Sequence, residues 1–244
     1  MDQTITIKDL LEAGVHFGHR ARRWNPKMKP YIFGKKDDIF IIDLEKTMDR
    51  IKVAADAMRR VAELGQDVLF VGTKQQAKPI IEEEAKRCGA FYVSERWLGG
   101  LLTNFEVVSN RIARLVELER ILNEGRTGKY TKKETLKLER EHKKLMKIFA
   151  GVKEMDRLPG IIYLVDVVRE ATPLAEARRS KIPVIAMIDT NGDPEKIDYP
   201  IPSNDDALRS IKLITSIMAN SVLEGRKGFA DDVEAETGTE ATEQ

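Results

Sequence analysis

The 244-residue chain carries 41 Lys+Arg against 40 Asp+Glu, and its 42% apolar content is enough for a buried core, which excludes wholesale disorder. At roughly 150 residues per domain this predicts one large domain, or one domain with an insertion. A single cysteine, Cys88, excludes a disulfide framework and any multi-cysteine zinc site. No apolar run approaches the roughly 20 residues that span a bilayer, and the opening Met1–Lys8 lacks a basic-then-apolar secretory leader. A cytoplasmic protein with no membrane partner is expected.

In chain order, Ile39–Ile42 predicts a strand. Met48, Ile51, Ala55, Met58 and Ala62 then recur on one helix face, with Gly65 as a left-handed stop. Val68–Val71 predicts the next strand, Ala77, Ile81, Ala85 and Cys88 a helix closed by Gly89, and Ala90–Val93 a third strand. Residues 106–157 hold no strand pattern and read as two helices joined at Gly125–Gly128. Val108, Ile112, Leu115 and Leu122 form one seam, with Glu119 filling a position in it. Leu138, His142, Leu145, Phe149 and Val152 form the other, at coiled-coil spacing. The rhythm resumes with Ile161–Val165, a helix near Pro173–Ser180, Val184–Ile188 and a last helix bearing Leu208, Ile211, Met218 and Val222. Pro200 and Pro202 confine their segment to an edge or a loop.

Continuous apolar runs predict strands covered on both faces, and strand–helix alternation predicts an α/β fold. The expected architecture is a doubly wound, mostly parallel sheet built from residues 1–105 and 158–228. Residues 106–157 are inserted as an antiparallel coiled-coil helical hairpin. Residues 229–244 hold six acids and no base, which predicts a disordered acidic tail.

The net charge of +1 conceals two poles. Without that tail the chain is +7, and from Ala13 to Lys36 seven bases stand with no acid. Such a pole faces phosphate.

A doubly wound sheet invites a nucleotide- or sugar-phosphate-binding enzyme as the rival function. Gly72-Thr73-Lys74 fails as a P-loop, because Asp67 stands five before Gly72 and Thr follows it, and no Gly-x-Gly-x-x-Gly occurs. The helix start after Gly72 still offers N–H groups, and Lys74, to an RNA phosphate. His142 reads as a seam residue. A cation joining His16 or His19 to Asp189 or Asp205 stays open, and no metal site, cofactor or catalytic residue is assigned. Asp189–Pro194 lacks the glycine position and closing glutamate of a calcium loop and reads as a turn. Cys88 reads as a small buried residue.

What remains is a basic stretch threaded with aromatics: Arg20, Arg22, Arg23, Trp24, Asn25, Lys27, Lys29, Lys35 and Lys36, with Phe17, Tyr31 and Phe33. Guanidinium forks pair with phosphate and planar rings stack on unpaired bases. A second candidate is Arg96, Trp97 and Asn104 around Gly99-Gly100, in a loop that a parallel sheet would bring to its carboxyl edge.

Leu10–His19, Arg22–Lys29, Arg96–Gly100, Leu102–Phe105 and Asp189-Thr-Asn together resemble the bacterial small-subunit ribosomal protein two family, over Ile5 to Gly225. The resemblance implies a flavodoxin-like sheet with an inserted coiled-coil hairpin, binding to small-subunit ribosomal RNA, and a place in the cytoplasmic ribosome. It also implies contacts with neighbouring ribosomal proteins, ribosomal protein one among them, with no catalysis and no small-molecule substrate. Asp166-Val-Val-Arg169 stands where that family has Asp-Pro and then a base, so no basic contact is carried over to this loop.

Overall fold

A computed structural model describes residues 5–124 and 131–240. The chain opens with α1 (Ile7–Glu12), begun by a reciprocal capping box between Thr6 and Asp9. Three short strands follow, β1 (Phe17–Arg20), β2 (Ile32–Lys36) and β3 (Ile39–Ile42), forming an antiparallel sheet in the order β1-β3-β2. Asp37 and Asp38 join β2 to β3 with φ of 49° and 64°, a tight hairpin turn that aspartate tolerates. Ile39–Ile42 is therefore a strand, but it belongs to this ribbon and not to the parallel sheet. Both of its partners come from the segment just before it, so no crossover helix is needed.

The helix α2 (Leu44–Glu63) starts on the Asp43 side chain and is followed by Gly65 at φ 64°. Then come β4 (Val68–Val71), α3 (Lys78–Cys88), ended by Gly89, and β5 (Phe91–Val93). The helices α4 (Phe105–Glu124) and α5 (Lys132–Phe149) leave and return. The chain finishes with β6 (Ile161–Val165), α6 (Ala171–Arg179), β7 (Val184–Ile188), β8 (Tyr199–Pro202) and α7 (Leu208–Glu240). The five strands from β4 onward are all parallel, in the order β5-β4-β6-β7-β8. Pro200 and Pro202 lie in an edge strand, where a missing N–H is tolerated.

Alternate residues of each strand serve two cores. Val68, Phe70, Tyr163, Val165, Met187 and Ile201 pack with α2, α3 and α7, while Leu69, Val71, Ile162, Leu164 and Ile188 pack on the other side with α4, α5 and α6. Covering on both faces is why these strands read as unbroken apolar runs. The second core includes Val108, Ile112, Leu115, Phe149 and Val152. The base of the helical pair is thus part of the sheet's cover, whereas Leu122 and Leu138, farther out on the seam, are half-buried. Glu119 fills its seam position by pairing with Lys153 and lying 3.7 Å from His142 Nε2.

The last helix is the longest of the described elements. Its backbone is helical to Glu240, past Phe229, where composition predicts disorder. Ala and Glu favour helix, and lengthening an existing helix needs no new nucleus. Residues 241–244 and the Gly125–Gly128 joint lie outside the described residues. Among the described residues, no helix is long and apolar enough to cross a membrane.

Candidate nucleic-acid interface

The loops after β4, β6, β7 and β8 meet at the carboxyl edge of the sheet, where open α/β sheets carry ligands. Here they carry each other. Lys74 Nζ lies 2.7 Å from Asp205 Oδ1, 2.6 Å from Asp206 Oδ1 and 3.1 Å from Asp166 Oδ2. Burial works against its charge, but Asp205, Asp206 and Asp166 outweigh it and hold the ammonium above the usual lysine range. Asp205 shifts upward, through its own burial and the nearby Asp166 and Asp189, which Lys74 only partly offsets. Asp166, at φ 72°, accepts the N–H groups of Val168 and Arg169. Buried Glu170 takes the N–H of Thr73 at 2.7 Å and its hydroxyl at 2.6 Å. Lys74 is thus paired within the protein rather than presented outward before its helix. Three acids from two later loops hold it inside, and the N–H of Thr73 beside it is spent on Glu170.

The basic ribbon is fastened across this edge. The backbone N–H of His19 donates to Thr190 Oγ1 at 2.9 Å and to Asp189 Oδ1 at 3.2 Å. The N–H of Asn25 donates to the Thr190 carbonyl at 2.7 Å, and Met28 is fully buried in the second core. Gly18 passes so close to Thr190 that a β-carbon would collide with its side chain. His19 Nδ1 lies 2.9 Å from Asp189 Oδ2 and its Nε2 3.6 Å from Asp206 Oδ2. The bond to Asp189 raises the imidazole pKa over the opposing effect of burial, with Asp205 and Asp206 adding to the rise. His19, Asp189 and Asp206 each present one ligand atom within 4.8 Å of the others, a donor set of imidazole and carboxylate that suits a divalent cation. His16 goes elsewhere, its ring 4.0 Å from that of Phe17.

On the outer side of the ribbon, Arg20, Arg22, Arg23, Lys29 and Lys36 are exposed, and among the described residues none has a carboxylate within 4.0 Å. Lys35 is exposed but pairs with Asp38 at 2.7 Å. Lys27 is held by Asp193 at 3.1 Å and by Glu195. Trp24 is half-buried with its ring 4.8 Å from Phe40, and the Asn25 side chain caps a short turn by accepting the N–H of Lys27 at 3.0 Å. In the second segment Arg96 and Asn104 are exposed. The Trp97 ring is buried in the second core and its indole N–H donates to Glu176 at 3.0 Å.

A fold, a self-neutralised sheet edge and an unpaired basic face are what a scaffold for a polyanion requires. Comparison with known proteins decides between scaffold and enzyme. Residues 10–225 match the family described as Ribosomal protein S2. The chain belongs to the ribosomal protein S2 family. It is 50% identical over 239 residues to the small ribosomal subunit protein uS2 of Geotalea uraniireducens (strain Rf4), which spans 98% of this chain and 93% of that protein. As an S2-family member it is a structural, RNA-binding protein of the translation machinery and not an enzyme.

In this S2-family chain, the sequence did not reveal Asp206 or Glu176, nor that Asp166 and Glu170 take up Lys74 and Thr73. For Asp166 the signal is its place directly after the apolar run Ile161–Val165, and for Glu176 its place between Ala175 and Ala177 on the buried side of a helix.

Proposed function

We propose that Arg20, Arg22, Arg23, Lys29 and Lys36, with Lys35, Arg96 and Asn104 beside them, bind small-subunit ribosomal RNA in the cytoplasmic ribosome. The observation that carries this reading is the ribbon's construction. Its inner groups are tied to Asp189 and Thr190, and among the described residues Arg20, Arg22, Arg23, Lys29 and Lys36 on its outer side make no ion pair within 4.0 Å. Unneutralised guanidinium groups on a rigid mount pair with phosphate without first breaking an internal ion pair. The sheet supplies that mount, and we read its strand order as the flavodoxin-like doubly wound arrangement. The helices α4 and α5 we read as an antiparallel coiled-coil arm.

A second surface fits a protein neighbour. Ile7, Leu11, Phe17 and Phe33 are exposed large apolar residues, Phe33 at 80%, and Ile7, Leu11 and Phe33 line one groove. Exposed apolar patches mark contact sites, and we assign to this groove ribosomal protein one, a neighbour that the family resemblance implies for the chain.

One reconstitution tests both surfaces. Arg22→Ala/Arg23→Ala/Lys29→Ala should keep its melting temperature within a few degrees yet enter small subunits poorly. Phe33→Ser should enter normally but lower the recovery of ribosomal protein one. Full incorporation of the folded triple variant overturns the RNA reading, and unchanged recovery with Phe33→Ser overturns the docking reading.

A further inference from the structure

Glu176 sits on α6 between the buried Leu174 and Ala177 and is itself only 8% exposed. A carboxylate so placed needs donors to replace its lost water, and all of those found come from one segment. The Trp97 indole N–H and the Gly100 N–H donate to Oε1 at 3.0 and 2.8 Å. The Leu102 N–H, the Thr103 N–H and the Thr103 hydroxyl donate to Oε2 at 3.1, 3.4 and 3.4 Å. Gly100, at φ 91°, is the turn that aims successive N–H groups at one point, whereas a β-carbon on Gly99 would meet nothing within 4 Å. Convergent backbone N–H groups form an anion-binding concavity. Here the anion is the protein's own, so these N–H groups are not free for phosphate. The exposed side chains of Arg96 and Asn104 are what the segment offers outward.

We propose that Glu176 is the positioning residue of segment 96–104, an internal anion that fixes the turn so that Arg96 and Asn104 stand preformed for ribosomal RNA. This deepens the RNA reading above and rests on it. Preorganisation of this kind raises affinity by removing an ordering cost that binding would otherwise carry.

The test is a double-mutant cycle on the full chain with a small-subunit ribosomal RNA transcript, comparing wild type, Glu176→Gln, Arg96→Ala and the double variant. Amide exchange at Gly100, Leu102 and Thr103 is followed alongside. Glutamine has one acceptor oxygen and presents an NH₂ to donors, so these amides should lose protection. RNA affinity should fall about tenfold, the scale of one lost charge-assisted hydrogen bond. Arg96→Ala should fall by a similar factor, and the double variant should be little weaker than either single one. Glu176→Asp, which keeps the charge, should recover part of the loss, and the cycle is run on it should the glutamine variant fail to fold. Wild-type affinity for Glu176→Gln beside a weakened Arg96→Ala overturns the proposal alone, as do fully additive losses. Wild-type affinity for both Arg96→Ala and Asn104→Ala removes the segment from the interface and takes the proposal with it.

Discussion

Single residues decide what each charge in this molecule is for. Glu176 is the sharpest case, because burial alone would raise its pKa, but Trp97, Gly100, Leu102 and Thr103 together hold it below the usual glutamate value. A folded-state pKa below the unfolded one means that the unfolded chain takes up the proton first as acid is added. The stabilisation by Glu176 is therefore complete above the ordinary glutamate range, around pH 4.3. It is lost as pH falls through the lower folded value. The stability gap between wild type and Glu176→Gln, about 2 kcal/mol for bonds to a charged group, should hold constant from pH 8 to pH 5 and close below pH 4. Urea melts across that range would show it, and a gap that widens in acid would mean that the donors do not favour the ionised form. The same scale explains what the sequence hid. Arg20, Arg22 and Arg23 are legible as outward cations because no acid stands near them in the chain. The fate of Lys74 is set by Asp166 and Asp205, 92 and 131 residues away, and that of Trp97 by Glu176, 79 residues away. Local composition carries no trace of such partners.

Elements built from neighbouring residues were legible in the sequence, and elements built across the chain were not. The helix over Ala77–Cys88 and its stop at Gly89 follow from three-to-four spacing and one left-handed glycine, both local. The ribbon β1-β3-β2 escaped notice because its tight turn is Asp37-Asp38, without the glycine that usually marks a hairpin, and because β1 pairs across the whole basic segment. The helices α4 and α5 were legible as two apolar periodicities, but not their attachment to the sheet. Leu115 is fully buried and shares a core with Leu69 and Ile162 of the sheet. Leu115→Ala should therefore cost about 2–5 kcal/mol and lower one common unfolding transition of the sheet and the helical pair, readable by calorimetry. An early, separate transition of the helical pair would show that its base is not part of the sheet's cover.

At the scale of the whole molecule, the +1 net charge is a poor guide to binding, because cations differ in whether the protein has already neutralised them. Lys27 and Lys74 are matched to internal acids, whereas among the described residues Arg20, Arg22, Arg23, Lys29 and Lys36 have none within 4.0 Å. Only an unmatched cation releases condensed counter-ions when it meets phosphate, and each such contact contributes about −0.7 to −0.9 to the slope of log affinity against log salt. If these five and the equally unpaired Arg96 touch phosphate, binding to small-subunit ribosomal RNA should show a slope of about −4.2 to −5.4. Arg22→Ala should move that slope toward zero by nearly one unit. Lys27→Ala should leave it almost unchanged, since that lysine exchanges Asp193 and Glu195 for phosphate with little net release of ions. Filter binding between about 50 and 200 mM salt resolves such a difference, because six or more contacts would already change affinity by orders of magnitude over that range. Equal shifts from the two variants would mean that internal pairing does not select the RNA-facing bases, and the ribbon's construction would then no longer explain which face binds.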